Sequence, residues 1–170
     1  MMPASRSTPL AFTIVEAMVS IVVVALMLGA ALTAAGAART RQEANAARAQ
    51  ANWLAQSLMA EILAKPYTDP QGLNLLGLEV NELLTLRSSL DDVDDYDGLT
   101  ENPPKNPDGT SIAGYTGWSR TASVANVLAT NFATTSLTDT NYKRVTVTVK
   151  KGRQTMAQLT ALRTKARDSW

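Results

Sequence analysis

Residues 12–38 read FTIVEAMVSIVVVALMLGAALTAAGAA, and the last 22 of them, 17–38, carry no charge. As a helix that run rises about 33 Å, which matches a bilayer hydrocarbon core of about 30 Å. It reads as a transmembrane segment. From residue 39 onward the chain is polar, rich in threonine and asparagine, and holds nearly all the charge, so the plan is one anchor and one soluble head. An acid, Glu16, stands at the entrance of the apolar run, after Phe12, Ile14 and Val15. A charge at the middle of a membrane helix costs about 2.5 to 3.5 kcal/mol on insertion scales and less near an end, so this carboxylate is either solvated among headgroups or answered by a cation. A cut before Phe12 would supply that cation. The new amine and the Glu16 carboxylate would then lie four residues apart on one helical face.

Composition narrows the chemistry. The 170 residues include 16 basic and 15 acidic side chains, no cysteine and no histidine. Disulfides are excluded, as are the commonest zinc ligands, a thiol nucleophile and the usual neutral-pH base. A net charge of +1 offers no large field for nucleic acid, so no nucleic-acid partner is expected. None of Ser57, Ser88, Ser89 and Ser119 lies in a nucleophile motif, and no phosphate-cradling glycine loop accompanies the aspartates. The chain does not read as an enzyme.

The helical pattern runs on past the span. Ala44, Ala47, Ala51, Leu54, Leu58 and Ile62 recur at spacings of three and four, with Arg41, Glu43, Arg48, Gln50 and Glu61 largely on other faces. Pro66 ends it. One helix from Phe12 to about Ala64 would measure roughly 80 Å. A turn cluster follows at 66–72, and the leucine-rich 73–90 shows no clean alternation, reading as short helix or irregular chain.

Residues 91–97 then hold five carboxylates in seven positions before Gly98. An EF-hand loop does not fit: with Gly98 as its sixth position Val93 falls at the first, and the distal Glu is missing. Two readings stay open. In one, Asp92, Asp94, Asp95 and Asp97 form an irregular calcium loop. In the other the turn is solvated and pairs with the basic residues Lys143, Arg144, Lys150, Lys151 and Arg153.

The last third reads as strands. Over 142–150, Val145, Val147 and Val149 alternate with Arg144, Thr146, Thr148 and Lys150, the period of a half-buried strand. Lys151-Gly152-Arg153 turns the chain, and 155–164 returns as its hairpin partner, although Met156, Leu159 and Leu162 at spacing three also suit a short helix. Residues 115–128 make a further strand and 131–141 a polar connection; Trp53, Trp118 and Trp170 read as packing residues.

Ala11-Phe12-Thr13-Ile14-Val15-Glu16, opening an apolar run, resembles the processing signal of type IV pilins and type II secretion pseudopilins. That family has a small residue, usually Gly, then Phe-Thr-Leu-x-Glu; here Ala occupies position 11, and the leader holds one basic residue, Arg6. The resemblance implies an α+β fold, a long N-terminal helix on a small, mostly antiparallel sheet. It implies a leader at 1–11, a transmembrane half-helix at 12–38, an amphipathic half at 39–65 and a head at 66–170. It also implies cleavage between Ala11 and Phe12 by a prepilin peptidase, N-methylation of Phe12, and pairing of Glu16 with a neighbouring subunit's amine. The implied partners are that peptidase, other pilin or pseudopilin subunits and inner-membrane lipid, with the head in the periplasm. Some pseudopilins carry a calcium loop; apart from that, no cofactor is implied.

Residues 54–63, 92–98 and 114–120 resemble, more loosely, minor pilins of the mannose-sensitive-haemagglutinin and PilV types and pseudopilin I. Flanking charge taken alone, with Arg39, Arg41 and Arg48 after the span and Arg6 before it, would place the head on the cytoplasmic side. Two other functions compete. A filament-tip adhesive module would use 91–118, and a secreted protein would be cut after Ala35-Gly36-Ala37, although 22 apolar residues exceed the 7 to 15 of an ordinary signal core.

Overall fold

A computed structural model describes residues 13–69 and 87–166. Helix α1 runs from Ile14 to Ala64. Its start is capped: the Thr13 hydroxyl accepts the backbone N–H of Glu16 at 3.3 Å, and the Thr13 carbonyl accepts that of Ala17 at 3.1 Å. Its end comes where Pro66 has no N–H to continue the ladder, and the Lys65 N–H closes a tighter last turn on the Ile62 carbonyl.

The chain divides into two compact units between Asn45 and Ala46. In the first, every described side chain is exposed, including Ile21, Leu26, Leu28 and Leu32. The helix there is long and apolar enough to cross a membrane, with a mean hydropathy of 2.4 over its best 18-residue window. In water such a surface would aggregate; against lipid tails it is at home.

In the second unit the last turns of α1 lie on an antiparallel sheet. Ala51, Leu54, Ala55, Leu58, Met59 and Ile62 are buried, so the stripe expected from spacing holds from Ala51 onward and gains Ala55 and Met59, whereas Ala47 is only partly buried and Ala44 is exposed. The strands are β1 (Thr100–Glu101), β2 (Trp118–Leu128), β3 (Asn131–Thr135), β4 (Tyr142–Lys151) and β5 (Gln154–Thr164). They order as β1-β2-β4-β5, with β3 paired to β2, and every pairing is antiparallel. In the centre Val145 faces Val124 and Ala161, while Val147 faces Ala122 and Leu159. These inward rows meet the helix stripe in one apolar core. The fold is therefore α+β, a long N-terminal helix packed on a small antiparallel sheet.

Local chemistry explains where this departs from the sequence reading. The strand expected over 115–128 begins only at Trp118, because Gly114 and Gly117 take positive φ angles of 85° and 78° and coil the chain ahead of it. The polar connection expected over 131–141 contains a strand, β3, because Asn131–Thr135 folds back on the end of β2 after a two-residue turn; all five residues are exposed, so no apolar alternation marks it. The ambiguous 155–164 is β5: Gly152, at φ 58°, lets a tight turn set it beside β4 across ten paired positions, and sheet pairing overrides the spacing of three. Most of the leucine-rich 73–90 lies outside the described residues, and its end forms a 3-10 turn at Arg87–Ser89. Trp118 is buried as expected, Trp53 is half exposed and stacks on Tyr115 at 6.2 Å, and Trp170 lies outside the described residues.

Candidate functional site

Two places carry the chemistry read from the sequence, the head of α1 and the acidic loop. At the first, Glu16 sits in the opening turn of α1, exposed, where the unpaired N–H groups of a helix start favour a negative charge. Its backbone N–H is committed to Thr13 while, among the described residues, its carboxylate has no partner. Thr13-x-x-Glu16 is the first half of a capping box, a signal legible in the sequence beside the membrane argument. Ala11 and Phe12, the expected cleavage pair, lie outside the described residues.

The acidic loop is a folded corner. Asp92 is 2% exposed, and Asp94 and Asp95 are also buried, so a solvated turn is not what forms. The Asp92 carboxylate accepts the backbone N–H groups of Asp94 and Asp95 at 2.6 and 3.1 Å. In return, that of Asp95 accepts those of Asp91 and Asp92 at 2.8 and 2.9 Å. This reciprocal pair pins the 3-10 turn at Asp94–Tyr96, the Asx chemistry that aspartates favour in tight turns. Asp97 accepts the Val124 N–H at 2.9 Å, tying the loop to β2. Asp94 turns inward to Lys143 on β4 at 2.8 Å, and that ammonium also donates to the Tyr67 carbonyl and lies 3.9 Å from the centre of the Tyr67 ring.

Of the basic residues named from the sequence, Lys143 thus takes the loop. It follows the inward parity of Val145, Val147 and Val149, whereas Arg144 points outward and donates to the carbonyls of Phe132 and Ala133. The four carboxylates read as calcium candidates are drawn apart to these different protein donors, and among the described residues no three acidic side chains gather as a metal-holding group.

Burial sets the electrostatics here. Lost hydration pushes the Asp92 carboxyl up to about 6, helped by the negative charges of Asp95 and Asp94 and opposed by the two N–H donors. Burial also raises Asp94, outweighing the pull of Lys143. The Tyr67 hydroxyl, which donates to Asp139 at 2.5 Å, is held well above the usual phenol value by burial and by that bond.

A second buried cluster lies under the helix, and sequence reasoning missed it. Arg120 on β2 is 2% exposed and Glu101 on β1 is 3% exposed. Arg120 bonds Glu101 at 2.5 Å and donates to the Leu54 carbonyl at 3.3 Å, the Ser57 hydroxyl at 3.2 Å and the Lys105 carbonyl. Arg87 joins Glu101 to Glu61 of α1, the second contact at 2.7 Å, and the Tyr96 hydroxyl donates to Glu61 at 2.9 Å. Helix, two strands and three connecting segments thus meet on four charges that cancel. Burial, with Arg87 nearby, lowers the Arg120 guanidinium to about 10, so it stays charged at any physiological pH. Its sequence signal was parity: Trp118, Arg120, Ala122 and Val124 share one face of β2.

No family model, curated protein or solved structure matches this chain. What the arrangement can do therefore rests on its own chemistry. The hollows beside Phe132 and Leu162 and along residues 20–28 are shallow surface features, and neither is lined by a residue of the two clusters. Each cluster ties separate elements of the head together through charged contacts.

Proposed function

We propose that this protein is a minor pilin or pseudopilin, a structural subunit of a type IV pilus or a type II secretion filament. A prepilin peptidase cuts between Ala11 and Phe12 and methylates the new amine; the subunit waits in the inner membrane with its head in the periplasm and then moves into a filament through packing of α1. Support comes from one observation above others: the sequence motif at 11–16 precedes and enters an apolar helix, Ile14–Ala64, whose last turns pack on a small antiparallel sheet. The protein acts by assembly and performs no reaction of its own.

Glu16 is the proposed selector. In lipid near the headgroups its charge is tolerable; in a filament core it would be buried, and an unpaired buried carboxylate costs several kcal/mol. The Phe12 amine of an adjacent subunit neutralises it there, so assembly favours a subunit that has been cut and seated in register. The acidic loop supplies its own N–H donors and Lys143, and we propose that it needs no calcium.

Glu16→Ala tests the pairing cleanly, because Thr13 caps through the backbone N–H of residue 16 and that bond survives in Ala. The variant should be cleaved like the parent yet stay in the membrane fraction. Its appearance in sheared filaments at parental level would refute the role of Glu16.

A further inference from the structure

We draw no further inference here: the strongest candidate, the outer edge of β5 with the shallow apolar groove between Phe132 and Leu162 beside it, carries nothing because nothing in the structure shows what covers it.

Discussion

Replacing Arg120 by Met tests whether the head is locked by its buried charges. Methionine keeps much of the aliphatic bulk and removes the guanidinium, which bonds Glu101, the Leu54 and Lys105 carbonyls and the Ser57 hydroxyl. Glu101 remains buried with Arg87 as its single cation, so the cluster of Glu61, Arg87 and Glu101 is left with a net negative charge. Breaking a buried pair from one side costs about 3 to 5 kcal/mol, because the orphaned partner cannot return to water. For a head of this size each kcal/mol moves the melting temperature by roughly 3 to 5 °C, so the variant should melt at least about 10 °C below the parent. Circular dichroism melts in one detergent measure it. Adding Glu101→Gln to Arg120→Met should recover part of the loss by removing the stranded charge. A shift under about 3 °C for Arg120→Met, or no recovery in the double variant, would refute the reasoning.

Asp92 gives a pH test with a definite sign. Its folded carboxyl is pushed up to about 6, above the ordinary value near 4, so the folded state holds the proton longer and this residue's stabilisation, full only below about pH 4, is lost as pH rises through 6. Asp92→Asn keeps an oxygen for the N–H groups of Asp94 and Asp95 and has no charge to bury; it should therefore melt above the parent at pH 7.5, by an amount on the order of 3 kcal/mol or less, and match it near pH 4. An equal offset at both pH values would contradict the assignment. Chelation is the other check on this loop: with EDTA the melting temperature should stay within a degree, whereas a fall of several degrees would reveal a bound calcium.

Repetition made most of the fold readable in advance. Twenty-two uncharged residues, a stripe at spacings of three and four, and the alternation of Val145, Val147 and Val149 each repeat one period long enough to outweigh local propensity. β3 was hidden because a fully exposed strand has no apolar face to announce it, and β5 was ambiguous because its pairing with β4, a non-local contact, chose between two local options. The acidic loop shows a different limit. The pairing with a basic residue of β4 was legible and Asp94 makes it with Lys143, but composition suggested solvent or calcium for the rest, where Asp92 and Asp95 instead cap each other's backbone, an outcome that depends on which N–H groups the turn presents. The charge cluster was half legible: parity places Arg120 inward, but nothing local pairs it with Glu101, which lies 19 residues away.

The whole account rests on what lies at the front of the mature chain. Intact-mass and N-terminal peptide analysis of the protein purified from its native membrane should find a polypeptide that begins at Phe12 with one methyl group on its amine. A chain that still carries residues 1–11, or one that begins at Ala38, would contradict it.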